Sequence, residues 1–320
     1  MHSALAMVTD ARGYCLARYA MASALLTQTE PFTPYLFIDR WDGPAETDGL
    51  LRLAQRLGSP LQIIRLTQNT YQDKNFQVTK HLTRTAYQKF TAIQSLVGAH
   101  DRVLYADTDT IFYEPLPISQ VDFRGNPIAA VFELSQTQEV GETGFSTTFT
   151  PVNASRYYFN SGVMLFDLTR GDIAHFRAEY DKYCQIHQSY CPYNEACKLV
   201  DQCAFNQAFE NQWTPLPLTW NVQSITFQTD LWKQAALRHY TGPQKFLPLR
   251  ARRADKRERA FLRVIANALG DGLPPVWPGM GVVYWINGLR RARVRSWITS
   301  GTSLVEADMR TLQAGTGTAL

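Results

Sequence analysis

The stretch "VLYADTDTIF", residues 103–112, is an apolar run that stops on two aspartates, Asp107 and Asp109, with one threonine between them. A carboxylate buried without a partner costs on the order of several kcal/mol, or it takes up a proton. The two acids therefore need something to face. Read as extended chain, the segment sends both side chains the same way, because strand residues alternate with period two. They also stand at the carboxyl end of a strand, where open α/β sheets gather their ligands.

On either side of this stretch, short β-rich runs alternate with helical patterns, the signature of an α/β domain with a largely parallel sheet. Strands are expected over 4–10, 34–39, 61–66, 102–107 and 127–133. Helices are expected over about 16–26, 45–57, 81–97, 172–188 and 200–210. In the helix over 81–97, Leu82, Ala86, Phe90, Ile93 and Leu96 or Val97 share one face. "YYFNSGVMLFDL" (157–168) reads as extended apolar pieces broken at Asn160-Ser161-Gly162, with the glycine marking a bulge or a close backbone approach to a ligand.

The chain has 320 residues, 45% of them apolar and 19% charged, the balance of an ordinary globular protein. The N-terminal "MHSALAMVTDARGY" reads as a first strand rather than a signal peptide. No run approaches the roughly 18 apolar residues of a membrane span. Five cysteines without a CxxC pair fit a reducing compartment. Four of them, Cys184, Cys191, Cys197 and Cys203, are spaced more widely than zinc-ligand pairs and read as buried thiols. The expected location is cytoplasmic.

Acids end several expected strands: Asp10, Asp39, Asp107 with Asp109, and Glu133. Neither GxGxxG after the first strand nor GxxxxGK[ST] is present, so a glycine phosphate loop has no support. Acids without such a loop point to a divalent cation that holds phosphates. Three enzyme classes place an acid-x-acid pair at a strand end. "DTDTI" matches the nucleophile motif of haloacid-dehalogenase-like phosphatases, which normally opens the chain. "YADTDT" is similar to the palm motif of family-B polymerases, which need a far longer chain. The third class is the DxD motif of nucleotide-sugar glycosyltransferases.

The rest of the chain chooses among them. "RVLYADTDTIF" resembles the motif of family 8 glycosyltransferases, the group that includes glycogenin and bacterial lipooligosaccharide α-galactosyltransferases. In family order, "AMVTDARGY" resembles the first-strand nucleotide motif and "RYYFNSGVMLFDL" the FN[SA]GV[ML]L run. "VDQCAFNQAF" is similar to DQDxLN, "LPLTWNVQ" to the WN element, and "RHYTGPQKF" to HxxGxxKPW. These elements extend over residues 5 to 246.

The resemblance implies a GT-A-type, Rossmann-like mixed sheet, largely parallel and flanked by helices, in a transferase domain over 1–249. It implies a metal-dependent, retaining enzyme that moves a hexose from a UDP-sugar to a saccharide or lipid-linked acceptor. Asp107, Asp109 and His239 would bind Mn²⁺ or Mg²⁺, with Thr108 between the acids at the donor. Imidazole suits Mn²⁺ better. Lys245 would meet the diphosphate as a point charge and help it leave, and Gly242 would let backbone N–H groups approach. Thr9 and Asp10 would contact the uracil, with Tyr14 stacked on it. Asp10 also reads as a helix cap. Lys89 would face the donor, or stand exposed on its helix. Glu133, Asn160 and Ser161 would contact the donor sugar. Asp201 and Gln202 would be catalytic near the anomeric carbon, either beside a same-face attack or as a transient nucleophile; the pair also reads as a helix N-terminus.

Three departures bear on the sugar and acceptor. DQD is DQC here, with Cys203 in place of an acid; KPW becomes Lys245-Phe246-Leu247; and Glu133 stands near an expected aspartate. A haloacid-dehalogenase-type phosphatase and a non-catalytic nucleotide-sugar-binding protein are the alternatives.

Residues 250–297 carry eleven Lys/Arg against three Asp/Glu, so that segment is +8 and the remainder −4. A basic, partly amphipathic helix is expected there, followed by Trp, Tyr and further arginines. Residues 250–320 are thus read as an extension for an anionic membrane surface at its inner face, or as a docked subdomain. Nucleic acid is the weakest of the three readings.

Overall fold

A computed structural model describes residues 2–66, 84–133, 158–187, 191, 200–226, 229–241 and 255–271. Two sheets organise them. The larger has strand order β3-β2-β1-β4-β7-β6-β8, built from β1 (Ser3–Thr9), β2 (Thr33–Asp39), β3 (Gln62–Leu66), β4 (Arg102–Ala106), β6 (Ile128–Phe132), β7 (Phe159–Asp167) and β8 (Trp213–Pro215). A small second sheet has order β5-β10-β9, from β5 (Thr110–Phe112), β9 (Val222–Gln223) and β10 (Leu237–His239). Helices are α1 (Tyr14–Thr27), α2 (Gly49–Arg56), α3 (Lys89–Gln94), α4 (Ile173–Ile186), α5 (Val200–Ala208), α6 (Asp230–Gln234) and α7 (Lys256–Leu269).

The large sheet is the expected mixed, mostly parallel one. β1 runs parallel to β2 and β4, β2 to β3, and β6 to β8; β7 alone is antiparallel, to β4 and β6. This exception decides where the site forms. A parallel strand brings its end to the carboxyl rim, whereas β7 brings its beginning, so Asn160, Ser161 and Gly162 arrive beside the end of β4.

Every residue of β1, β4, β6 and β7 is buried, because helices cover both faces. Period-two alternation then divides the strands between two cores. Leu5, Met7, Leu104 and Leu165 pack with α1, α2 and α7. Ala4, Ala6, Val103, Tyr105 and Met164 pack with α3, α4 and α5.

Several boundaries differ from the expected ones for local reasons. The helix expected over 45–57 starts at Gly49, because the Asp48 carboxylate accepts from Leu50 N at 2.7 Å and caps it. Within 81–97 the chain is a 3₁₀ turn, Arg84–Gln88, followed by α3. Ser95 Oγ donates back to Ala92 O at 2.7 Å and Gly98 takes φ +82°, which ends the helix early. Phe90, Ile93 and Leu96 are buried as expected, Val97 is exposed, and Leu82 lies outside the described residues.

β7 is one continuous strand rather than two broken pieces. The irregularity falls opposite it, as a register shift between Ala130 and Phe132 of β6. The apolar face of α7 (Leu262, Ile265, Ala266 and Leu269) is buried against α1 and α2. The fit is close enough that a Cβ on Gly49 would overlap the Leu269 carbonyl oxygen.

Candidate active site

β4 ends at Ala106 in the large sheet and β5 begins at Thr110 in the small one, so the DTD segment must turn from one sheet to the other. It does so tightly, with Thr110 Oγ1 donating to Asp107 O at 2.8 Å. Asp107 and Asp109 therefore converge through a turn, and not through the period-two alternation expected of an extended segment. Thr108 is half-buried within that turn.

β10 pairs antiparallel with β5, setting His239 opposite Thr110, and Tyr240 N donates to Asp109 O at 2.8 Å. Two segments 130 residues apart in number thus meet: His239 Nε2 stands 3.2 Å from Asp109 Oδ1 and 4.0 Å from Asp107 Oδ2. One ligating atom from each of Asp107, Asp109 and His239 lies within 4.8 Å of the others. Two carboxylates and an imidazole form a mixed O/N donor set that fits Mn²⁺.

Gly162 makes this possible. Its carbonyl accepts from Asp107 N at 2.7 Å, and a Cβ there would overlap His239 Cε1 and come within 2.9 Å of Asp107 Oδ2. The glycine expected to admit a ligand admits the imidazole instead.

A chain of hydrogen bonds sets the imidazole tautomer. Backbone N–H groups can only donate, so Gly162 N fixes Asn160 Oδ1 towards itself (2.9 Å), and Ser161 N fixes Gln202 Oε1 (3.1 Å). Asn160 Nδ2 must then donate to Glu133 Oε2 (2.7 Å) and Gln202 Oε1 (3.1 Å), while Gln202 Nε2 donates to Glu133 Oε2 (3.0 Å). Asn221 Nδ2 donates to Asn160 Oδ1 at 3.0 Å, which turns its own oxygen to His239 Nδ1, also at 3.0 Å. Nδ1 therefore carries the proton, and Nε2 faces the two aspartates, the arrangement a metal-ligating histidine needs. Asn221 belongs to the WN element of the sequence, and only its neighbours in space reveal its role.

Lys89 is not an exposed helix lysine. It is buried, with Nζ 3.0 Å from Asp107 Oδ1 and 2.9 Å from Asp201 Oδ2, beneath the Tyr105 ring. Burial opposes its charge, but Asp107 and Asp201 outweigh burial and hold the ammonium above the usual lysine range. Burial raises the Asp107 carboxyl, Lys89 counters, and Asp109 adds to the rise. Tyr105 Oη donates to Asp107 Oδ1 at 2.8 Å.

At the β1 end, Asp10 Oδ1 accepts from Gly13 N at 2.8 Å and Thr9 Oγ1 donates to Asp10 O at 3.0 Å, so Asp10 does close the turn into α1. Its Oδ2 stands 3.4 Å from Thr85 Oγ1, which also donates to Asp39 at 2.9 Å. The Tyr14 ring packs on Trp41 at 4.7 Å, and burial raises its phenol pKa. Gly242, Lys245 and Cys197 lie outside the described residues.

A family model described as glycosyl transferase family 8 matches residues 5–246. Among solved structures, the galactosyltransferase LgtC in complex with donor and acceptor sugar analogues has TM-score 0.64 and 19% identity, covering 84% of this chain and 96% of that one. The glycosyltransferase GlyE of Streptococcus pneumoniae TIGR4 has TM-score 0.55 and 19% identity, covering 84% of this chain and 63% of that one. At these identities the likeness is one of fold. Comparison with curated proteins gives no match.

Proposed function

Because the chain belongs to glycosyl transferase family 8, we propose that this glycosyltransferase moves a hexose from a UDP-sugar to a saccharide or glycolipid acceptor, with retention at the anomeric carbon and with Mn²⁺ or Mg²⁺ as cofactor. The observation that carries the reading is the meeting of Asp107, Asp109 and His239 at the rim where β4 ends and β7 begins. That the LgtC structure holds donor and acceptor sugar analogues supports a donor and a saccharide acceptor here. The phosphatase alternative fits poorly, because "DTDTI" follows the fourth strand in chain order and not the first.

Asp107, Asp109 and His239 would hold the cation, with Thr108 in the turn between the acids. When bound, it supplies positive charge to offset the charge that develops on the diphosphate leaving group. Lys245, with the backbone at Gly242, would add a second cation there, as the motif resemblance implies. Thr9 and Asp10 address the uracil, with Tyr14, braced by Trp41, beside them. Asn160, Ser161 and Glu133 hold the sugar hydroxyls.

Asp201 is pinned by Lys89, and the Gln202 amide oxygen already accepts from Asn160 and Ser161. Both are therefore assigned to positioning the sugar, and the acceptor hydroxyl attacks from the face that the diphosphate leaves. The C1–O bond to the diphosphate breaks, the C1–O bond to the acceptor forms, and the hydroxyl proton passes to the departing phosphate oxygen.

We assign residues 1–249 to the transferase domain and 250–320 to an extension whose helix α7 docks on the body. Lys256, Arg259 and Arg263 of α7 are exposed beside that contact and would face an anionic membrane.

The deciding experiment incubates the full chain with a panel of UDP-sugars and Mn²⁺, measures UDP release, and reads the product anomer by NMR. Release with one sugar, lost on chelation and in Asp109→Ala, is expected. Hydrolysis of simple phosphate esters without any dependence on UDP-sugar would refute the proposal.

A further inference from the structure

A second cluster of ligating side chains shares no residue with the first. His187 at the end of α4, Cys191 four residues on, and Cys203 within α5 are all buried, and one ligating atom from each lies within 4.8 Å of the others. The spacing of Cys from Cys gave no zinc signal, because the short pair is His187-x₃-Cys191, within the range of zinc-ligand pairs. Cys191 Sγ and Cys203 Sγ are 3.7 Å apart. Two thiolates each about 2.3 Å from a tetrahedral ion stand about 3.7–3.8 Å from one another. Tyr158 Oη lies 3.0 Å from Cys203 Sγ and, against a thiolate, must be the donor, which is the supporting contact a metal-bound sulfur takes.

We infer that His187, Cys191 and Cys203 bind a zinc ion. Binding Zn²⁺ releases one proton from each thiol, and two thiolates with a neutral imidazole leave the assembly uncharged, which suits burial. Soft sulfur donors distinguish this site from the carboxylate-rich one. Three protein ligands leave one tetrahedral position for water or a further donor. Cys203 directly follows Asp201 and Gln202 on α5, so the ion ties the helix that carries them to the end of α4. In this chain Cys203 stands where the resembling motif has an acid, and the exchange supplies a metal ligand. The inference does not depend on the sugar transferred.

The test purifies the full chain from zinc-supplemented culture, counts metal by plasma mass spectrometry, and then replaces zinc with Co²⁺. We expect about one zinc per chain, lost in Cys191→Ser and in Cys203→Ser. The cobalt form should show a near-ultraviolet thiolate-to-metal charge-transfer band. Asp109→Asn should keep that band, since the other site contains no sulfur. If the serine variants fail to fold, chelation of the wild-type chain still decides the matter: its melting temperature should fall and recover with zinc. A zinc-free wild-type chain whose Co²⁺ form lacks the thiolate band overturns the inference. So does a freshly purified chain with Cys191 and Cys203 joined as a disulfide.

Discussion

Gly162 has no side chain, and the site is built around that fact. His239 reaches Asp107 and Asp109 only because nothing projects from Gly162 into the imidazole ring. In Gly162→Ala the ring must retreat or the strand must shift. Transfer activity and metal affinity should each fall by roughly 10–100-fold, the usual cost of disturbing the support of a metal ligand. Melting temperature should change little by comparison. Metal titration of the activity checks this, and a wild-type metal response would show that His239 does not need its present position. The same scale explains Lys89. The sequence alone reads equally well with an exposed lysine there, since helix periodicity places a residue on a face but does not say what covers that face. Removing it would leave buried Asp201 and half-buried Asp107 without their cation, a loss on the order of 3–5 kcal/mol.

Among the elements, α7 has the clearest titration signature. Buried Arg238 pairs with Asp255 at 2.8 Å and stands 3.4 Å from Glu258, a buried carboxyl in the first turn of α7. Burial pushes Glu258 from the ordinary 4.5 up to about 7, with Arg238 lowering and Asp255 raising it. A carboxyl raised on folding binds its proton more tightly in the native state. Its contribution is therefore full below about pH 4.5 and lost as pH rises through about 7. The full difference is on the order of 3 kcal/mol. Glu258→Gln removes the titration, so the wild type should lose melting temperature relative to the variant between about pH 5 and pH 8. Parallel pH dependence in the two proteins, read by thermal denaturation, would place the proton elsewhere. Amphipathic spacing foretold α7 itself, but its apolar face could equally have met a membrane. Contact with α1 and α2, with Arg18 joined to Asp48 at 3.1 Å and Asp271 at 2.7 Å, gives that face to the body instead.

For the whole molecule, charge is divided between a segment 250–297 of +8 and a remainder of −4. Each basic residue near an anionic surface is worth about 1 kcal/mol, and salt weakens the attraction. We expect the full chain to bind anionic liposomes at low salt, to release as salt rises, and to lose binding when residues 272–320 are deleted and Lys256, Arg259 and Arg263 are neutralised. Absence of binding at low salt would assign the basic segment to docking alone. No helix among the described residues is long and apolar enough to cross a membrane. The sequence by itself determined the alternating α/β architecture, the strand-end acids and the family, because periodicity and motif order are properties of local chain and ordered spacing. It did not determine that β7 runs against its neighbours, that the DTD segment turns between two sheets, or that Asn221, Gly162 and His239 form one unit. Nor did it bring His187 to Cys191 and Cys203. Those are contacts between residues far apart in the chain, chosen when strands exchange hydrogen bonds and buried polar atoms find partners, and only tertiary structure decides them.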